Sequence, residues 1–254
     1  MEVAAIQKSL KQDLFEGVDF LEIDDLLTEE QILIRSSMRD FVKKEISPYI
    51  EDWAQKAHFP YEIVRKFGEV GAFGPQLPVE YGCGGLDYIS YGLIMQEIER
   101  GDSGMRSTAS VQGSLVMYPI YKFGSEAQRK KYLPKLASGE LLGCFGLTEP
   151  DHGSNPSGMV TNFKDMGDHY LLNGAKMWIS NSPKADIAVV WAKNEEGRIH
   201  GLIVLGRASH TRPIIRLWGR RCLRKYMLWI RSCSSSWVSE AKNALSSRHP
   251  HQAM

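Results

Sequence analysis

The sequence predicts an α+β chain of more than one domain, with an all-α N-terminal domain followed by a small antiparallel, barrel-like β domain. Two patterns and one discontinuity carry that reading. Up to about residue 138 apolar residues recur at the three-to-four spacing of a helix face; after Gly139 they alternate with polar ones, the period of a half-buried strand. The charge then jumps, because residues 206–254 hold ten Lys/Arg and one acid, a balance of +9 against −8 for residues 1–205. Four segments follow: an extension over 1–26, the helical domain over 27–138, the β domain over 139–205 and a basic tail over 206–254 expected to lack regular structure.

The first helix starts at Thr28, whose hydroxyl can cap the Gln31 amide while the Gln31 side chain reaches back. Ile34, Met38, Phe41, Val42 and Ile46 line its apolar face, and Pro48 ends it. A second begins near Pro60 with Ile63, Val64, Phe67 and Val70 on one face, before the glycines between Gly71 and Gly85 impose turns. A third runs from Tyr88 to Arg100. The stretch from Ser103 to Val116 is rich in Ser, Ala and Gly, which lets a neighbouring backbone or a ligand approach. Ser125 caps a last helix over 126–136. Beyond it, strands are predicted at 142–147, 159–164, 170–172, 175–179, 186–191 and 199–204, with turns at Asn173-Gly174 and Glu196-Gly197.

At 254 residues, 43% of them apolar, the chain can bury a full core. Its longest apolar runs, such as 187–192, fall far short of the roughly 20 residues of a membrane helix, so no membrane partner is expected. The first residues have neither a signal core nor the Arg-rich character of a transit peptide, which points to the cytoplasm. Cys83, Cys144, Cys222 and Cys233 lack the close pairing of a zinc site and are too sparse for a disulfide framework; they are read as reduced thiols, and no metal site is expected. His152 reads as an exposed loop histidine, and Cys144 as a buried strand residue without an activating base.

Two stretches carry the chemistry. The first, Gly143-Cys144-Phe145-Gly146-Leu147-Thr148-Glu149-Pro150-Asp151-His152-Gly153-Ser154, passes from a strand into a loop that presents amides and hydroxyls. The second, Lys176-Met177-Trp178-Ile179-Ser180-Asn181, sets an aromatic ring beside small polar groups. In this order and spacing the pair resembles the flavin-binding signatures of the acyl-CoA dehydrogenase family. With Glu97-Ile98-Glu99-Arg100-Gly101-Asp102-Ser103-Gly104-Met105-Arg106-Ser107 and Val111-Gln112-Gly113-Ser114-Leu115-Val116, residues from about 27 to 205 are similar to its glutaryl-CoA subgroup.

The resemblance implies FAD as cofactor, contacted by Phe145, Leu147, Thr148, Ser154, Trp178, Ile179 and Ser180, with Ser154 also near the CoA portion. It implies that Arg106, helped by Ser107 and balanced by Glu99, binds the distal carboxylate of glutaryl-CoA, a task suited to a guanidinium fork. It further implies α-proton abstraction, hydride transfer to the flavin and loss of CO₂, with electron-transfer flavoprotein as acceptor and a homotetramer as assembly. The family's glutamate base belongs to a C-terminal four-helix domain that no part of residues 206–254 resembles. No catalytic residue is therefore assigned, and that domain is expected to be missing from this sequence, leaving an impaired form. The tail, rich in Arg, Ser, Trp and Cys, looks like translation in a shifted reading frame. The alternatives are a non-catalytic acyl-CoA or flavin-binding fragment, or a basic aromatic arm for nucleic acid or anionic lipid, a role nothing else in the chain supports.

Overall fold

The computed structural model describes residues 20–167, 169–205, 215–217 and 227–230. Helix α1 (Glu29–Glu45) opens on the Thr28 capping box, with the Gln31 amide donating to Thr28 Oγ1 at 3.2 Å and the Thr28 amide to Gln31 Oε1 at 3.0 Å. Glu29 and Glu30 in its first turn and Lys43 and Lys44 in its last complement the helix dipole. A short α2 (Ile50–Gln55), not anticipated after Pro48, precedes α3 (Ile63–Glu69). Ile63, Val64 and Phe67 are buried there, whereas Val70, placed on the same face by its spacing, caps the helix and is exposed. Helix α4 (Tyr88–Gly101) packs on α1, stitched by Gln31 to Asp87 and by the fork of Arg39 on the buried Glu97 at 2.8 and 2.9 Å.

Asp102 caps α5 (Ser103–Ser110), which continues through π-helical turns over Val111–Met117 into α6 (Tyr118–Phe123) as one rod. Its small residues allow close approach: a Cβ at Gly113 would sit 2.9 Å from the Gly74 amide nitrogen. Helix α7 (Glu126–Ala137) starts on a second capping box, Ser125 with Gln128. The structure thus has the helical domain that the sequence predicts.

The sheet domain follows: β1 (Gly143–Gly146), β2 (Asn162–Asp165), β3 (Tyr170–Met177), β4 (Ile187–Lys193), β5 (Ile199–Leu205), β6 (Ile215–Leu217) and β7 (Met227–Ile230). It is mixed rather than wholly antiparallel, because β1 runs parallel to β4, Gly143 opposite Ile187, and β2 meets β4 in parallel at Asn162 and Lys193. The chain between β1 and β4 is long enough for such a crossover, which strand periodicity cannot reveal. β4 and β5 form the expected hairpin, turning through Gly197 at φ +77°.

Asn173-Gly174 is not a turn. β3 runs straight through it, pairing with β2 up to Asn173 and with β7 from Gly174 onward. The tail also differs from expectation: β6 and β7 are strands, and β7 supplies backbone partners to the half of β3 that β2 does not reach. The remaining tail residues, with Cys222 and Cys233, lie outside the described set, as does Asp168 of the β2–β3 turn.

One core crosses the domain boundary, joining Phe67, Ile98, Met117 and Leu133 of the helices to Leu142, Ile187, Val189 and Ile203 of the sheet. Gln112, fully buried in the π-helical turns, makes the polar stitch: its Nε2 donates to Leu136 O at 2.9 Å and Leu141 O at 2.8 Å, and its Oε1 accepts from the Gly143 amide at 2.8 Å. Gln112→Met keeps the volume but removes three bonds, and the Leu141 carbonyl and the Gly143 amide lose this partner while Leu136 O keeps the Gly139 amide, so urea unfolding should show a loss of about 3 kcal/mol. A loss under about 0.5 kcal/mol, the range of a neutral surface change, would refute the stitch.

Candidate functional site: a cleft between the rod and the strand ends

The two chemical stretches meet in space. Phe145, Leu147 and Thr148 at the exit of β1, Trp178, Ile179 and Ser180 after β3, and Val111 and Leu115 from the π-helical turns line one open cleft of about 220 Å³. Strand alternation aims them: Cys144 is buried within the sheet core, so Phe145 faces the helices, its ring 6.0 Å edge-on from Trp191. After β3 the chain turns sharply, with Trp178 at φ +62° and half exposed while Ile179 is buried and anchors the bend. A non-glycine residue held at positive φ costs on the order of 1–3 kcal/mol, and such strain collects at ligand clamps. Asn181, also at positive φ, donates from Nδ2 to Gly143 O at 3.2 Å.

Beneath the cleft lies a buried ion pair that pattern reading missed. Lys176 and Glu149 are both buried, and Lys176 Nζ donates at 2.9 Å to Glu149 Oε1 and at 2.9 Å to Leu147 O. The Glu149 carboxylate also accepts from the Val160 and Thr161 amides at 2.7 and 3.0 Å. Burial raises its pKa, but bonds from Thr161, Lys176 and Val160 outweigh that and hold it down at about 2. Lys176 is lowered from the usual lysine value by burial, an effect that Glu149 opposes. A signal was available, because Tyr170, Leu172 and Lys176 share the inward face of β3, where a lysine must find a partner.

The other expected site residues stand apart from the cleft. Ser154 is exposed on the loop after Glu149, and His152 is half-buried. Arg106, on α5, gives its Nε to Glu99 Oε2 at 2.5 Å and its Nη1 to Ser110 Oγ at 3.4 Å, with 37% of its side chain exposed. Ser107 precedes the cleft residue Val111 by four positions, so it lies about one turn further along the same rod. Cys83 and Cys144 are free thiols, pushed by burial up to about 11 and about 12. Among the described residues no group of three or more His, Cys, Asp or Glu could hold a metal, and no helix is long and apolar enough to cross a membrane.

Residues 28–140 match the acyl-CoA dehydrogenase N-terminal domain and residues 144–228 the acyl-CoA dehydrogenase middle domain. The chain belongs to the acyl-CoA dehydrogenase family. The division between the two matches falls at the change of period near Gly139, and the second extends into β7, past Leu205. Over 177 residues the chain is 42% identical to a glutaryl-CoA dehydrogenase of Desulfococcus multivorans, covering 68% of this chain and 46% of that one. A probable acyl-CoA dehydrogenase of Bacillus subtilis is 43% identical over 185 residues, 70% of this chain and 48% of its own. The solved glutaryl-CoA dehydrogenase of Mycobacterium smegmatis in complex with FADH2 superposes with a TM-score of 0.81 at 39% identity, covering 90% of this chain and 58% of that chain. The chain spans about half the length of the curated relatives it matches.

Proposed function

We propose that this chain provides the flavin-holding portion of an FAD-dependent acyl-CoA dehydrogenase of the glutaryl-CoA type. The observation that carries this is the convergence of Phe145, Leu147, Thr148, Trp178, Ile179 and Ser180 on one cleft. The donor set suits a flat heteroaromatic ring: Val111, Leu115, Leu147 and Ile179 offer apolar surface, Phe145 and Trp178 offer rings, and the hydroxyls of Thr148 and Ser180 can meet a polar edge. When bound, FAD supplies the hydride acceptor. Trp178 and Ile179 would cover one side of the ring while Thr148 and Ser180 fix its direction. None of the eight lining residues is an acid or a histidine, so within this cleft the chain binds and orients but has no group to take an α-proton at neutral pH. Electron-transfer flavoprotein as acceptor and a homotetrameric assembly belong to the same proposal. Titrating the purified chain with FAD tests the reading. Saturable binding with a perturbed flavin band, and turnover of glutaryl-CoA far below roughly 1 s⁻¹, is expected. No binding at any FAD concentration would overturn it.

The glutaryl preference is assigned to Arg106, because a guanidinium fork suits a distal carboxylate and the relatives of the chain include glutaryl-CoA dehydrogenases. Glu99 holds the guanidinium, so a dicarboxylic acyl group must share it or displace Glu99. In the flavin-loaded chain, Arg106→Met should weaken glutaryl-CoA by about 2–5 kcal/mol, with Arg106→Lys between it and the parent, because lysine keeps the charge but not the fork. An uncharged acyl-CoA of equal length should move the other way. Equal losses on both ligands in a calorimetric titration would remove the glutaryl assignment and leave the acyl-CoA reading intact.

A further inference from the structure

The two walls of the cleft come from segments about thirty residues apart in the chain, and one buried side chain makes two of the polar connections between them. Leu147 and Thr148 belong to the first wall, while Trp178, Ile179 and Ser180 form the second. Lys176 sits on β3, two residues before Trp178, with no exposed surface. Its ammonium donates to the carbonyl of Leu147, a cleft residue, and to the carboxylate of Glu149, the residue after Thr148. The Met177 amide adds a bond to Thr148 O at 2.8 Å. Glu149 in turn gathers the Val160 and Thr161 amides, so its loop cannot drift without breaking three anchors.

We propose that Lys176 is the positioning residue of this cleft: by bonding Leu147 O and Glu149 from the strand that leads into Trp178, it sets the separation and register of the two walls. A hydrophobic residue of similar volume would fill the space yet make neither bond. A buried ammonium is costly, and an ordinary strand interior would not need one. Here it satisfies a carbonyl that has left the sheet ladder and a carboxylate under the loop at once, and both acceptors lie on the opposite wall. The inference concerns the shape of the cleft; only its second test rests on the flavin reading.

The first test is hydrogen exchange by mass spectrometry on Lys176→Met, without ligand. Peptides over residues 143–150 and 174–182 should both exchange at least about tenfold faster, while α1 and α4 keep their protection, because opening of one wall releases the other. Faster exchange in the 174–182 peptide alone, or a uniform rise across the chain, would overturn the proposal. If Lys176→Met leaves too little folded protein, Lys176→Met/Glu149→Gln removes the unpaired buried charge and is measured in its place. Positioning by Lys176 requires both peptides to remain fast in this neutral pair, whereas a purely electrostatic role requires their protection to return.

The second test is FAD affinity of the same variants by flavin fluorescence. A weakening of about tenfold or more is expected in both, consistent with losing a charged hydrogen bond that aligns the walls. Unchanged affinity beside loosened walls would overturn the link to ligand binding. Should the parent chain bind no FAD, the functional reading falls, and the exchange experiment still decides the role of Lys176.

Discussion

Glu149→Gln will destabilise the chain by about 3–5 kcal/mol at neutral pH, because it leaves the Lys176 ammonium buried without its counter-charge. Both partners are essentially inaccessible, so water cannot take over the lost interaction. The same pair fixes an acid dependence. The folded carboxyl titrates at about 2 against an ordinary 4.5, so the stability it contributes is whole above about 4.5 and is lost as pH falls toward 2. Taken alone that shift corresponds to about 3 kcal/mol. It is an upper bound for the pair, since burial at the same time pulls Lys176 below its ordinary value. Urea unfolding of parent and Glu149→Gln should show a gap that is full at pH 7 and shrinks steadily between pH 4.5 and 2. A gap that stays constant over that window would mean the carboxylate is not the group responsible.

Gly174→Ala is the second large effect, expected to cost about 3 kcal/mol through overpacking. A Cβ there would lie 2.4 Å from Thr161 Oγ1 and 2.7 Å from its Cβ and Cγ2, and Thr161 is fully buried. The backbone at Gly174 also has φ +153°, where a side chain is strained whatever the space. This is the residue at which β3 exchanges β2 for β7, so neither strand can move away without unpairing. In a Thr161→Gly background the penalty should fall by roughly half, since all three clashing atoms are gone and the backbone strain remains; strict additivity in a double-mutant cycle would refute the contact.

What the sequence revealed follows from how local each feature is. The capping boxes at Thr28 and Ser125 are set by residues three apart, and both are present. Asn173-Gly174 misled for the same reason: the dipeptide favours a local turn, but pairing with two remote strands overrides it. The parallel pairing of β1 with β4 joins residues 44 apart and leaves no mark on either strand. Strands β6 and β7 were hidden in a segment whose charge and composition dominate its pattern. Of the site, the two flavin-like stretches were legible through family resemblance, and six of their seven proposed contacts line the cleft; Ser154 does not. Gln112 was not legible, since its role depends on three backbone groups from α7, its following loop and β1.

The core that passes from the helices into the sheet has a consequence for synthesis on the ribosome. Helices α1 to α7 are built from near neighbours in the chain and can form as they emerge. The surface they present to Ile187, Val189 and Ile203 has no cover until some fifty to sixty-five further residues have been made. Strand β1, although next to emerge, cannot close it alone, because its edge partner is β4. The nascent helical unit therefore carries an open apolar face through that interval, and the Gln112 amide waits there with its acceptors on Leu136 and Leu141 already in reach. Vectorial folding of this chain has its point of greatest exposure to chaperones and misassembly between Gly139 and the closing of the β4–β5 hairpin.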